Sequence, residues 1–406
     1  MSSRSSKNVV GVFSQVGSAP RFYWLMAAMV PASFAGSTIG SIKVVLAAQV
    51  GGTSTVGTAA LVSTVTGCIA GLLAGRVVDR VRANVVLSCA MAGFTLSYLS
   101  LAYLVAHNSV TDTWVIFFSA LDGAILTFSY LSTIKLEAAL VRPDARGAAE
   151  SISSIRGSVG GLLGALLAGS IVLIVDRVIF CAALTGITFA LVLVIPRGAM
   201  GRSTAKKQKK GSVAVMLGAL KSNPSFRTVV IANLTLYLVV PSTLLSLSVV
   251  REGLLGIQGV LVGAAIVGVM IGRLTLAVRG TRGAVSRDLT LATLLYALLA
   301  AMAAVGMVGN WLFGQTALLA LLVMLGSACG SFIQAMLAAK FQEQVPDSVR
   351  GQASGVMYAA VAVQLALGIV VATSVVSAWS TLAYSVLLAC LLLFAVVFLQ
   401  GFRQVK

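Results

Sequence analysis

The sequence predicts an all-α integral membrane protein: twelve transmembrane helices in two pseudo-symmetric six-helix bundles, with both termini cytoplasmic. Three observations carry that prediction. The 406 residues are 58% hydrophobic and only 10% charged, with a mean hydropathy of +1.01, too few polar side chains to cover a water-soluble surface of that size. Lysine and arginine segregate into alternate connections between apolar runs. A short polar segment recurs at half the chain length.

The apolar runs come first. A helix needs about 20 apolar residues to cross roughly 30 Å of hydrocarbon. Runs that meet this requirement lie near 22–48, 55–77, 83–106, 113–138, 147–173, 177–196, 226–250, 255–278, 287–308, 312–339, 351–376 and 380–401, here called spans one to twelve. The opening MSSRSSKNVVGVFSQVGSAP is too polar for the apolar core of a signal peptide, so it is expected to be retained, with Arg21 at the membrane boundary.

Orientation follows from lysine and arginine near the span ends. With the N-terminus inside, 25 of the 29 basic residues fall on the cytoplasmic side, leaving Lys43, Arg156, Arg177 and Arg251 elsewhere. An odd number of spans in either half would scramble that segregation. The same distribution explains the formal charge of +18: the run KKQKK, Lys206 to Lys210, sits in the longest inner connection, beside anionic lipid headgroups. Membrane lipids, not nucleic acid, are the partners this charge predicts. Residues 197–225 read as a basic cytoplasmic linker between an N-terminal bundle, 1–196, and a C-terminal bundle, 226–406.

A repeat supports the division. Pro143-Asp144-Ala145-Arg146-Gly147 returns as Pro346-Asp347-Ser348-Val349-Arg350-Gly351, with the Arg-Gly pairs 204 positions apart. Each copy precedes a predicted span, as duplicated halves require.

Between spans two and three the chain reads GLLAGRVVDRVR, a glycine-containing helix end followed by clustered charge. Gly75, Asp79 and Arg80, with Arg82 just beyond, resemble the G-x-x-x-D-R-x-G-R signature of the major facilitator superfamily; in that register Arg82 stands at the second glycine and Ala83 at the final arginine. Together with the span count and the repeat, the resemblance covers essentially the whole chain. It implies the major facilitator fold and transport by alternating access. It also implies a conformational latch in which Asp79 holds the first bundle against the start of span eleven, at Gly351 and Gln352, in the outward-facing state. A carboxylate gains from the unsatisfied N–H groups at a helix start; a merely solvated charge cluster is the competing reading of Asp79.

Charge inside the membrane costs about 2.5–3.5 kcal/mol per group at mid-bilayer, so Asp122 on span four and Arg156 on span five call for partners or a water-filled cavity. At about 100° per residue, Ser129 and Thr133 fall within about 20° of Asp122 and Glu137 about 60° away, one polar stripe that could wall a cavity. The competing reading is a structural ion pair between Asp122 and Lys43, at comparable outer depth on span one, or a Lys43 that snorkels to the interface. Arg156 has Glu137 and Glu150 as nearby acids; it either ties spans four and five together or holds a carboxylate substrate. Proton coupling would run through Asp122 or Glu137. Tyr130 on span four, Asn233 and Tyr237 on span seven, and Ser331 and Gln334 on span ten are further cavity candidates, because the resemblance places spans one, four, seven and ten around the substrate. Tyr358 and Gln364 on span eleven are weaker ones.

Span five carries Gly157/Gly161 and Gly160/Gly164 at GxxxG spacing, which reads first as close helix packing. It also resembles a degenerate antiporter signature without its proline, and Ser119 stands where many drug exporters of the superfamily carry arginine. The PD-x-RG segments resemble those of siderophore and macrolide exporters. Other chemistries are disfavoured. The five cysteines lie in apolar runs without a CxxC pair, the single histidine is His107 in a connection, and no G-x-x-x-x-G-K-[ST] loop is present. Neither an enzyme nor a direct user of ATP is expected, and no metal or organic cofactor. The expectation is a monomeric, multi-pass protein of a bacterial inner membrane that exports an amphipathic small molecule (drug, siderophore or secondary metabolite) against protons; uptake of a small organic acid and lipid translocation are the alternatives.

Overall fold

The computed structural model describes residues 20–141, 146–168, 174–194, 258–279, 291–296, 316–344 and 357–361, and singly Gly218, Asp288, Leu298, Leu299, Met302 and Val363. No strand occurs among the described residues. The chain stays helical from Pro20 to Arg80 except at Gly52, whose φ of 68° and ψ of −158° only glycine adopts without strain. That break separates span one, Pro20–Gly52, from span two, Ser54–Val78. Only Val81 and Arg82 then stand before span three, Ala83–Ala106. Span three ends at His107, whose N–H donates to the Tyr103 carbonyl, and at Asn108, which takes a left-handed φ of 51° tolerable for asparagine. Span four, Asp112–Leu140, begins on Asp112, whose Oδ1 accepts the Thr113 N–H at 2.8 Å, an acid at the positive end of the helix dipole. Spans five, six, eight and ten are Arg146–Ala168, Ile174–Val194, Gln258–Arg279 and Thr316–Gln344.

Among the described residues six helices are long and apolar enough to cross a membrane: spans one, two, three, four and six, and Ala320–Leu337 within span ten. Span five, rich in glycine and serine and carrying Arg146, Glu150 and Arg156, is long but less apolar. One face of each helix is enclosed, with Phe22, Leu25, Ile39, Leu87, Met91, Leu101 and Leu136 among the most completely buried side chains. Leu72, Leu73, Leu96, Phe117 and Val194 are exposed on the outside, where lipid rather than water must meet them.

Lipid removes most of the hydrophobic drive for helix association, so close approach and hydroxyl bridges have to supply it. Both are present. A Cβ added at Gly160 would stand 2.6 Å from the Ser33 Cβ, and one at Gly164 2.6 Å from the Phe34 carbonyl oxygen. The Gly160/Gly164 pair of span five is therefore a packing seam against span one. Thr38 donates to the Gly164 carbonyl at 3.2 Å across the same seam, and Thr66 to Ala120 at 2.8 Å between spans two and four. The half-chain repeat recurs in these bonds. Thr127 on span four donates to the Gly67 carbonyl of span two, and Ser331, 204 residues later on span ten, donates to the Val269 carbonyl of span eight at 3.0 Å. Glycine clears the way at both contacts, Gly123 beneath Ser63 and Gly268 beneath Met324. Span five continues past span one to span eight, where Gly161 faces Ile266.

Candidate functional site

The candidate site starts from the membrane-embedded charges. Lys43 Nζ and Asp122 Oδ2 form an ion pair at 2.6 Å between spans one and four, with both side chains 13% exposed. Span three completes the setting: Ser97 donates to the other carboxylate oxygen at 3.3 Å, and the enclosed Tyr98 lies within electrostatic reach of Asp122. The carboxylate is thus held by a cation and a hydroxyl at the meeting point of three helices.

On span one, Gly36 and Gly40 lie on the same helical face as Lys43, within about 60° of it. Among the described residues, nothing stands within 4 Å of a Cβ built at either glycine.

The polar stripe of span four takes a different direction from a cavity wall. Ser129, Thr133 and Glu137 are each 5% exposed, and Thr133 donates to the Ser129 carbonyl at 2.8 Å. These residues turn into the bundle, where hydroxyls satisfy themselves on their own helix. Glu137 Oε1 accepts from Ser153 of span five at 2.5 Å. Arg156, one turn beyond Ser153, buries its Nε and Nη1. Lys135 donates to the Val78 carbonyl at the end of span two, as a cation near a helix C-terminus should.

Tyr130 looks the other way. It is 46% exposed, and its ring lies 5.5 Å from that of Tyr358 on span eleven, tilted by 38°. Gln334 is half-buried on span ten, while Ser331 is buried and committed to its bond with span eight. At the charge-rich end of span two, Gly75 is buried and Arg80 and Arg82 are exposed. Asn233, Tyr237 and Gly351, and the side chains of Asp79 and Glu150, lie outside the described residues. Ser97, Tyr98 and Ser153 belong to the site without having been singled out from the sequence, because a serine or tyrosine in an apolar run carries no positional signal of its own.

The family description "Major Facilitator Superfamily" matches residues 25–362, most of the chain and all of the site just described. The chain belongs to the major facilitator superfamily. No curated protein matches it at a significant level. Among solved structures, this facilitator is similar to a point mutant of the nucleoside transporter NupG at 14% identity and a TM-score of 0.65, covering 93% of this chain and 99% of that one. It is similar to the human organic anion transporter MFSD10 (TETRAN) at 16% identity and a TM-score of 0.65, covering 98% and 100%. It is also similar to the proton:xylose symporter XylE bound to 6-bromo-6-deoxy-D-glucose, at 14% identity and a TM-score of 0.68, covering 96% of each chain. At such identities the likeness establishes the fold alone and leaves the substrate to this chain's own residues; its family makes it a multi-pass membrane transporter and not an enzyme.

Proposed function

We propose that this facilitator is a secondary active transporter of twelve spans, with both termini cytoplasmic, that exports an amphipathic small molecule in exchange for protons across a bacterial inner membrane. Residues 1–196 and 226–406 form the two moving bundles, 197–225 link them, and the protein works as a monomer among lipids. Asp79, with Gly75, Arg80 and Arg82, latches the first bundle to the start of span eleven at Gly351.

The observation that carries the coupling is the Lys43–Asp122 pair at 2.6 Å. Two charges brought into the membrane are costly even when paired, and the fold does not demand them. At the repeat offset of 204, borne by Thr127 and Ser331, Gly326 stands opposite Asp122 and Leu247 opposite Lys43. The second half packs its span ten against span eight without an acid at that position. The pair is therefore assigned to coupling. A proton on Asp122 removes the charge that holds Lys43, loosening span one from span four; the returning charge pulls them together. Glu137, held by Ser153, gives a second carboxyl 15 residues further in, about 22 Å along the same helix at the α-helical rise, nearer the cytoplasmic end. Export is supported by the PD-x-RG segments and their resemblance to siderophore and macrolide exporters.

The test is flux in proteoliposomes with an imposed pH gradient, using fluorescent drugs, siderophores and organic acids, on wild type and Asp122→Asn. Gradient-driven movement that disappears in the variant is the expected result. Flux that proceeds equally with and without the gradient, or that Asp122→Asn leaves gradient-driven, overturns the assignment.

A further inference from the structure

We propose that Tyr130 and Tyr358 form an aromatic clamp that recognises a flat aromatic ring in the transported molecule, a specificity that rests on the transport reading above. The two rings come from spans four and eleven, 228 positions apart in sequence, yet lie 5.5 Å apart at a tilt of 38°.

Tyr130 nevertheless keeps 46% of its surface exposed. Its depth makes that exposure informative. Span four runs from Asp112 to Leu140, and Tyr130 lies four residues, about 6 Å, from its midpoint. Tyrosines that face lipid concentrate at the interfaces, where the hydroxyl reaches water. A half-exposed tyrosine near mid-membrane, in contact with a distant span, fits a polar cavity better than a lipid face. Open space lies at the same depth. Gly36 is seven residues inward of Lys43 on span one and Tyr130 is eight residues inward of Asp122 on span four, both close to 11 Å below the ion pair by helical rise; among the described residues nothing stands within 4 Å of a Cβ at Gly36.

The spacing of the rings defines the guest. Two rings stacked on a planar guest stand about 7 Å apart, twice the contact distance of aromatic carbon. The observed 5.5 Å must then widen by about 1.5 Å, a movement available because Tyr358 sits on a different span from Tyr130. A saturated ring system is thicker and lacks the π-face that makes tilted and stacked aromatic pairs favourable.

The experiment measures equilibrium binding of tritiated 2-naphthol and tritiated decahydro-2-naphthol to the full chain in lipid nanodiscs by scintillation proximity, with no gradient applied. The two probes share a hydroxyl and a carbon skeleton and differ in aromaticity. Wild type is expected to bind 2-naphthol more tightly. Tyr130→Leu and Tyr358→Leu should each weaken 2-naphthol by roughly three- to tenfold, the range an aromatic contact contributes, while leaving the saturated probe unchanged. Tyr130→Phe and Tyr358→Phe should stay within about twofold of wild type, since the ring face is kept. Equal affinity for the two probes, no saturable binding of 2-naphthol, parallel loss of both probes in the leucine variants, or a loss in the phenylalanine variants as large as in the leucine ones overturns the clamp. Because binding needs no gradient, this result is independent of the flux experiment, which alone decides direction and coupling.

Discussion

Replacing Lys43 by methionine keeps most of the side-chain volume and removes the cation that Asp122 holds at 2.6 Å. With both side chains 13% exposed, solvent cannot take over that role, and Ser97 at 3.3 Å offers only a long, neutral bond. Stranding a buried charge costs about 3–5 kcal/mol in proteins and about 2.5–3.5 kcal/mol in a membrane centre; partial exposure places the expected loss near the lower end, about 3 kcal/mol. Asp122→Asn strands Lys43 instead, but the four-carbon stem can carry the ammonium toward the outer interface, and about 1–2 kcal/mol is expected. The double variant Lys43→Met/Asp122→Asn should be no less stable than the better single variant, because neither charge is left alone. A double-mutant cycle followed by reversible unfolding in mixed micelles, with tryptophan fluorescence as the signal, should return a coupling of at least about 1 kcal/mol and the order Lys43→Met worse than Asp122→Asn. A coupling below about 0.5 kcal/mol, or additive singles, would show that the pair holds nothing and would refute the reasoning.

Other contacts give sharper yes-or-no outcomes. Gly160→Ala and Gly164→Ala should each destabilise by about 1–3 kcal/mol through overpacking, since the new methyl meets span one at 2.6 Å in both cases, whereas Gly157→Ala, with nothing within 4 Å among the described residues, should melt like wild type in a thermal assay. The same contrast is expected between Gly268→Ala, whose methyl would collide with the Met324 carbonyl, and Gly326→Ala, which faces open space. Ser153→Ala removes the donor 2.5 Å from Glu137 and should cost about 1.5–3 kcal/mol, the range for a hydrogen bond to a charged group; Glu137→Gln in that background should recover part of it. Thr127→Val and Ser331→Ala should each cost only about 0.6 kcal/mol, the average for interhelical bonds in membranes, and equality between them is the energetic sign of the repeat.

Where the chain is described, the first four spans and their limits were legible because hydropathy and helical rise act locally. Residues 83–106 read as span three coincide with Ala83–Ala106, and 113–138 with Asp112–Leu140, the difference being polar turns at the ends. Lys43 and Asp122 were legible as partners because two charges at one depth in lipid have few other solutions. The direction of the span-four stripe was not. A helical wheel fixes the angles among Asp122, Ser129, Thr133 and Glu137 but not how the whole wheel is turned against its neighbours, and the helix is rotated so that Tyr130, about 80° from Asp122 on that wheel, looks toward span eleven. Ser97 and Ser153 were hidden for another reason. A serine in an apolar helix can satisfy itself on the carbonyl four residues back, as Ser88 does on Asn84 at 2.8 Å, so its sequence position says nothing about an interhelical bond.

The asymmetry between the halves links the proposals. Thr127 and Ser331 hold their bundles by the same device, so the two halves share an architecture on which any charge is an addition. Among the described residues, Lys43 and Asp122 add an ion pair between spans one and four. A single titrating pair suffices for alternating access if a proton changes the packing of one bundle and the substrate bridges to the other. Tyr130 supplies the bridge from the bundle that carries the pair, and Tyr358 from spans that lack it. The geometry therefore predicts a division of labour that mutation can separate. Changes at Asp122 should alter gradient dependence while preserving the preference for aromatic over saturated ligands, and changes at Tyr358 should erase that preference while leaving the flux that remains gradient-driven. Loss of both properties together in either variant would mean that ion and ligand share one site, and the two-site arrangement would fall.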